Sequence, residues 1–143
     1  MSLYTIGFTK HSAENFFQTL KLAGVSKLID IRINKSSQLS GFAKGSDLPY
    51  LLKITSGIKY ESNESLAPTK ELLKRYRSKD ITWEAFEELF LRQIRSSKVL
   101  DSLKPTDFQN ACLLCSEHAP EKCHRRLLAQ EMQKLWGMHI VHL

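Results

Sequence analysis

The chain has 143 residues, of which 42% are hydrophobic and 25% are charged. This composition excludes a disordered chain, and the length predicts one globular domain spanning residues 1–143. No apolar run approaches the ~20 residues of a membrane helix, and the chain starts without a basic, apolar leader. We therefore expect a cytoplasmic protein with no membrane contact.

The formal net charge is +6, which favours an anionic partner. That partner is either an anionic small molecule or nucleic acid. The alternative is a basic surface that serves solubility and has no dedicated partner. The sequence leaves the oligomeric state and any cofactor open.

Strand-like and helix-like segments alternate along the whole chain. Apolar runs predict strands at residues 3–8, 27–32, 58–62, 111–115 and 139–143. Helical spacing and capping residues predict helices at residues 10–24, 47–57, 69–79, 81–104 and 120–137. This alternation predicts a single three-layer α/β domain, with a mostly parallel sheet of four to five strands and helices on both faces.

Polar residues collect where the predicted strands end. In parallel sheets, ligands bind beyond the carboxyl ends of the strands. The segments leaving those ends are residues 7–11, Arg32 with the polar loop 34–46, residues 60–66 and residues 115–125. The sequence therefore predicts a functional rim at that edge of the sheet.

The three cysteines do not form a secretory disulfide pattern. Cys112 and Cys115 have C-x-x-C spacing, but "ACLLC" is typical of a buried strand. Residues three apart on a strand point to opposite faces, with Cα atoms ~10 Å apart. This spacing exceeds the ~7 Å limit for a disulfide, so we interpret the C-x-x-C as accidental.

The segment "LLCSEHAPEKCHRR" contains several residues with reactive or charged side chains close together. Pro120 suits the first turn of a helix, which would place Cys123, His124 and Arg125 near an anion-binding helix start. At ~100° per residue, His124 and Arg125 point inward and Cys123 points sideways or outward.

Three chemistries fit this segment. Cys115 is a candidate nucleophile, with Glu117 and His124 as a candidate acid/base pair. Cys115 is alternatively a small buried core residue, and Glu117 an ordinary salt-bridge partner. Zinc bound by Cys115, Cys123 and His124 needs three converging ligands, and the predicted direction of Cys123 argues against that. We therefore predict no metal.

Two arginines are candidate anion ligands, and Gly7 and Ser37 are predicted to belong to the same anion site. Arg32 ends the second strand and Arg125 begins the last helix. The alternative for Arg32 is an ion pair with Asp30, which shares its strand face. The serine-rich loop after Arg32 is placed to close over a bound group.

The assembled residues resemble the domain of unknown function 488 family and its YeaO-like relatives. The segments that carry the resemblance are "YTIGFTKHSAENFFQTL", "LIDIR", "SLAPTKELLKRYRSKDITWEAFE" and "LLCSEHAPEKCHRRLLA". The resemblance implies a single α/β domain with a polar rim and supplies no reaction. The family-typical positions it implies are Gly7, Arg32, Ser37, Cys115, Glu117, Cys123, His124 and Arg125. Lys10 and His11 follow the first strand closely and are possible additions to the site.

The leading hypothesis is an enzyme that acts on an anionic, phosphate-bearing substrate at the rim. A rival is a non-catalytic nucleic-acid-binding module that uses the basic helix near residues 70–79. A third possibility is a small metal-binding domain.

Overall fold

A computed structural model describes all 143 residues and contains five strands and five helices. The strands are β1 (Ser2–Gly7), β2 (Lys27–Asp30), β3 (Lys59–Ser62), β4 (Ala111–Cys115) and β5 (His139–His142). The helices are α1 (Ala13–Leu22), α2 (Leu48–Ser56), α3 (Lys70–Arg77), α4 (Trp83–Ser97) and α5 (His124–Trp136). Each lies within or close to a segment predicted from the sequence, so the α/β fold class is confirmed. None of the helices is both long and apolar enough to cross a bilayer.

The strands form one sheet in the order β3-β2-β4-β1-β5, and all four strand pairs are parallel. The central strand β4 aligns Cys115 with Gly7 of β1 and Leu114 with Asp30 of β2. The carboxyl ends of β1, β2 and β4 therefore meet at the middle of one sheet edge.

Helices cover both faces of the sheet. Phe16 of α1 and Leu52 of α2 belong to the apolar cluster on one face. Leu72 of α3, Phe90 of α4 and Leu128 of α5 belong to the larger cluster on the other face. Because β1 leads into α1 and β4 leads into α5, the chain leaves these adjacent strands toward opposite faces. Such a switch point is where open α/β sheets bind ligands.

Two helix boundaries differ from the sequence-based expectation. Helix α4 ends at Ser97 because Lys98 adopts a left-handed conformation, with φ of 55°. Two 3₁₀ segments, Val99–Ser102 and Pro105–Phe108, follow it. The prediction that the last helix begins near Pro120 is wrong, because α5 begins at His124 and Cys123 is its extended N-cap, with φ of −138°.

Hydrogen bonds to arginine account for the late start of α5. The carbonyl groups of Glu117 and His118 accept from Arg125, and the carbonyl of Glu121 accepts from Arg126. The segment before Cys123 is thus held as a loop by side chains of the helix that follows it.

Candidate functional site at the carboxyl ends of β2 and β4

A cavity of about 80 Å³ lies at the carboxyl ends of β2 and β4. Its wall includes Arg32, Cys115, Cys123 and His124, which come from the rim predicted from the sequence. The rest of the wall comes from the loops after β2 and β4 and from α3 and α4. The cavity is therefore formed between the carboxyl ends of β2 and β4 and the larger helix layer.

Cys115 is the last residue of β4 and is 5% exposed. Its Sγ lies 3.4 Å from Nδ1 of His124, within the range of a sulfur hydrogen bond. Cys112 belongs instead to the apolar cluster on the α1 face, where burial raises the pKa of its thiol. The two cysteines thus face opposite sides of the sheet, as strand alternation predicts.

His124 is fixed by a backbone acceptor. Its Nε2 lies 2.9 Å from the carbonyl oxygen of Ile31. A carbonyl only accepts hydrogen bonds, so this contact assigns the ring proton to Nε2. In the neutral ring, Nδ1 then presents its lone pair to Cys115. Burial is the main cause that lowers the pKa of His124, which favours that neutral form.

The prediction that Cys123 points outward is wrong. Cys123 is 3% exposed, so its side chain points into the protein and not toward solvent. The Sγ atoms of Cys115 and Cys123 and a ring nitrogen of His124 all lie within 4.8 Å of one another. The helical direction estimate failed because Cys123 is an extended N-cap rather than a residue of the first helical turn.

The two thiols of the site have opposite acidities. A hydrogen bond with Cys123 is the main cause that lowers the pKa of Cys115, and backbone hydrogen bonds with Ser116 and Glu117 add to it. These contacts outweigh burial, which acts in the other direction. Burial, followed by the same contact with Cys115, raises the pKa of Cys123. Cys115 is therefore the thiol that ionises first.

Arg32 lines the cavity and also forms the ion pair considered from the sequence. Its Nε and Nη2 donate to the two carboxylate oxygens of Asp30 at 2.8 and 2.7 Å. The phenol of Tyr60 donates to the same carboxylate at 2.6 Å, and Nη2 of Arg32 also donates to the carbonyl of Ala43. The remaining nitrogen, Nη1, is buried and has no hydrogen-bond partner.

Arg125 does not lie at the cavity, in contrast to the anion-binding role expected from the sequence. It is fully buried, and it donates to Thr5 Oγ1 and to the carbonyl oxygens of Glu117 and His118. Its guanidinium faces the loop after β4 because Nη1 and Nη2 are directed to these carbonyl groups. The structure gives Arg125 the position of a support for that loop.

Gly7 lies against the same loop as Arg125 and not at the cavity. A Cβ atom at Gly7 would overlap the carbonyl of Glu117 and would lie 2.9 Å from Nη1 of Arg125. The absence of a side chain lets the loop after β4 cross close to the end of β1. This close approach explains a glycine at that position without an anion.

The remaining predicted residues are dispersed. Glu117 is exposed at the cavity wall, and its carboxylate has no hydrogen bond or ion pair within the protein. Ser37 caps a 3₁₀ turn by accepting from the backbone N–H of Leu39. Lys10 is exposed in a left-handed conformation, and His11 contacts Asn15, outside the cavity.

Residues that sequence reasoning did not assign to the site complete the wall. Tyr76, Trp83 and Phe86 supply aromatic surface, and Arg77 and Lys122 supply positive charge. The sequence predicts Arg77 only as part of the basic helix, apart from the rim. The alternation of basic and aromatic residues from Lys74 to Trp83 was the signal available in the sequence.

The geometry defines a parallel α/β protein with a paired thiol and imidazole beside basic side chains. Residues 12–132 match the family described as "Domain of unknown function DUF488", and the chain belongs to that family. This confirms the resemblance seen in the sequence motifs. Comparisons with curated proteins and with solved structures find no match. The family carries no assigned reaction, so a function must be argued from the site itself.

Proposed function

We propose that this protein is an enzyme in which Cys115 attacks a small anionic group held in the cavity. The contact between Cys115 Sγ and His124 Nδ1, 3.4 Å apart, carries the proposal. A nucleophile paired with a base that is itself oriented by a third group is the general signature of covalent catalysis. The carbonyl of Ile31 is that third group here.

The residues of the site account for each proton. Cys115 transfers its proton to Nδ1 of His124, and the thiolate bonds to an electrophilic carbon or phosphorus of the substrate. The bond to the leaving group breaks, and the leaving group takes the proton from His124. Water or a second acceptor then displaces the thiol, with His124 or the exposed Glu117 accepting the proton of that acceptor.

Positive charge around the cavity supports an anionic substrate. Arg32 keeps one buried guanidinium nitrogen without a partner, and Arg77 and Lys122 line the same wall. An unpaired buried donor is costly unless a ligand satisfies it. The volume of about 80 Å³ is roughly half that of the ~150 Å³ cavity known to take benzene. A phosphate or carboxylate group is therefore a better fit than an aromatic base.

Alkylation by iodoacetamide tests both the reactivity of Cys115 and the binding of an anion in the cavity. Under native conditions, Cys115 should be alkylated well before Cys112, because its pKa is lowered and that of Cys112 is raised. Peptide mass analysis identifies the modified residue. Inorganic phosphate should slow alkylation of Cys115, and the protection should weaken in Lys122→Ala.

The matched control is Lys53→Ala, which removes the same charge from an exposed position on α2, in the opposite helix layer. Its phosphate protection should equal that of the unaltered protein. Equal alkylation of Cys115 and Cys112, or a rate insensitive to phosphate, would reject the proposal.

A zinc site is the second candidate function, because three ligand atoms converge within 4.8 Å. Thiolate and imidazole ligands of tetrahedral zinc, at ~2.3 and ~2.1 Å from the metal, lie ~3.6 Å apart. The observed separation of 3.4 Å between Cys115 and His124 is close to this value. The contact of Nε2 with a backbone carbonyl also matches the usual outer contact of a metal-binding histidine.

Elemental analysis separates the two candidates. About one zinc per purified chain, lost in Cys123→Ser, would favour the metal site and would remove Cys115 as a free nucleophile. A metal-free protein with rapid alkylation of Cys115 would favour the thiol enzyme.

We also propose the cytoplasm as its location. Cys115 and Cys123 are both free and close together. A reducing compartment keeps such a pair reduced, as thiol chemistry at Cys115 requires.

A further inference from the structure

A basic groove of about 690 Å³ continues from the cavity along α3. One side is formed by Ile33, Asn34 and Ser36, from the loop after β2. The other side is formed mainly by Lys70, Lys74 and Arg77 of α3. The groove is several times larger than the cavity, so it can hold much more of a ligand than the group that reacts.

The three cations form one stripe on the surface of α3. Lys70, Lys74 and Arg77 are four and three residues apart, which places them on the same helix face. None of them is in an ion pair, and no acidic residue lines the groove. Glu64 is close enough for the charge of Lys70 to act on it, but its carboxylate is already bonded to Lys35 at 2.7 Å.

The groove and the cavity are continuous. Asn34, Leu73 and Arg77 line both of them. Arg77 is close enough for its charge to contribute to the lowered pKa of His124. A ligand in the groove therefore reaches the thiol and imidazole without crossing a separate surface.

We propose that the groove binds the phosphodiester backbone of a single nucleic-acid strand and places one end of that strand at the cavity. This inference rests on the proposed function for the chemistry at Cys115, but the binding step stands on the groove alone. The stripe from Lys70 to Arg77 is about 10 Å long at 1.5 Å per residue. One phosphate cannot contact all three cations at that length, whereas successive phosphates of a strand can.

Aromatic residues at the junction favour a nucleic acid over an acidic peptide. Tyr76 and Trp83 line the cavity next to Arg77 and are only half-buried. A base that stays outside the cavity can stack on the solvent-exposed part of these rings, with little dependence on sequence. The width of a duplex does not suit a groove that narrows into a cavity of about 80 Å³. The substrate class that fits best is a single strand with a terminal phosphate.

Fluorescence anisotropy with a labelled, 5′-phosphorylated oligothymidylate tests the binding step. The logarithm of affinity should fall with the logarithm of salt concentration, with a slope of about −0.7 per phosphate neutralised. Three cations predict a contribution of about −2. The double variant Lys70→Ala, Lys74→Ala should make the slope shallower by about 1.4.

The matched control, Lys21→Ala with Lys53→Ala, removes the same charge from α1 and α2 on the opposite face. Its slope should remain that of the unaltered protein. An equal loss in both double variants would overturn the inference, because binding would then follow net charge alone. Tighter binding of duplex than of single strand, or equal competition by polyglutamate, would also overturn it.

Strand binding and phosphate protection of Cys115, both measured on the unaltered protein, distinguish failure of this inference from failure of the proposed function. Strand binding with the expected slopes but without phosphate protection of Cys115 would uphold the groove and reject the thiol enzyme. Phosphate protection of Cys115 without strand binding would uphold the thiol enzyme and reject strand binding in the groove.

Discussion

Two cysteines three residues apart in β4 have opposite properties because strand alternation places them in different surroundings. Cys112 lies among apolar side chains, and burial raises the pKa of its thiol. Cys115 meets a thiol and backbone N–H groups, which lower its pKa. This difference between the two thiols followed from the pattern of the strand, so the sequence was sufficient to separate them.

Arg125 shows where single-residue inference from sequence stops. A buried arginine near a helix start fits an anion ligand, but its donors here are directed to Thr5 and two backbone carbonyls. The path of the loop after β4 decides between these roles, and no periodicity in the sequence encodes that path. Cys123 was misplaced for the same reason, since its direction depends on where that loop ends.

The support role of Arg125 predicts a large loss of stability in Arg125→Met. The substitution keeps most of the volume but leaves two carbonyl groups and the hydroxyl of Thr5 without their donor. We expect a loss of about 3 kcal/mol in the free energy of unfolding, measured by urea denaturation. Arg126→Met, at a more exposed position bonded to Glu121, should cost less than ~1 kcal/mol. Similar losses for the two variants would contradict the support role.

The close approach at Gly7 predicts that Gly7→Ala destabilises the protein. The added Cβ would overlap the carbonyl of Glu117 and displace the loop after β4. We expect a loss of about 2–3 kcal/mol, together with a changed rate of Cys115 alkylation. Gly137→Ala is the control, because nothing lies within 4 Å there and only its φ of 67° is unfavourable. That variant should lose about 1 kcal/mol with no change in alkylation.

At the scale of the elements, the sequence predicted which segments are helices and strands better than where they end. Ser12 and Thr82, which are residue types that favour N-caps, cap α1 and α4, and Gly57 closes α2. The wrong boundaries lie at Lys98 and at Cys123. The start of α5 depends on side chains that bond to the preceding loop, and residue preferences alone do not describe such bonds.

An ion pair between α4 and α5 gives a prediction about pH. Arg95 donates to both carboxylate oxygens of Glu131, and this contact is the main cause that lowers the pKa of the carboxyl group. A pKa lowered by folding adds stability above the pKa of the unfolded state, and that stability is lost as pH falls through the lower folded value. Arg95→Ala should therefore cost about 1 kcal/mol at neutral pH and progressively less under acidic conditions.

Urea denaturation across a pH series measures this effect. Arg92→Ala is the matched control on the same helix, since its partner Glu88 is largely exposed and the pair lies on the surface. It should change stability by less than ~0.5 kcal/mol at every pH. A cost for Arg95→Ala that is constant with pH would contradict the assignment.

At the scale of the whole molecule, the sequence predicted the layers of the fold but not which strands lie next to each other. Parallel strands and two helix layers followed from the alternation of segments, whereas the order β3-β2-β4-β1-β5 did not. Strand order depends on which connection crosses which strand, and this information is spread over the whole chain. For the same reason the sequence presents the basic helix and the rim as rival sites, although Arg77 lines both the groove and the cavity.

The shared sheet predicts that residues 1–143 unfold as one unit. The two apolar clusters lie on opposite faces, but alternate residues of β1, β2 and β4 belong to each of them. Phe16→Ala on the α1 face and Phe90→Ala on the α4 face should each cost about 3–5 kcal/mol. Each should lower the melting temperature by about 6–20 °C, at ~2–4 °C per kcal/mol, while leaving one transition. Calorimetry that resolved two transitions in either variant would show that the layers unfold separately, and residues 1–143 would then not be a single cooperative domain.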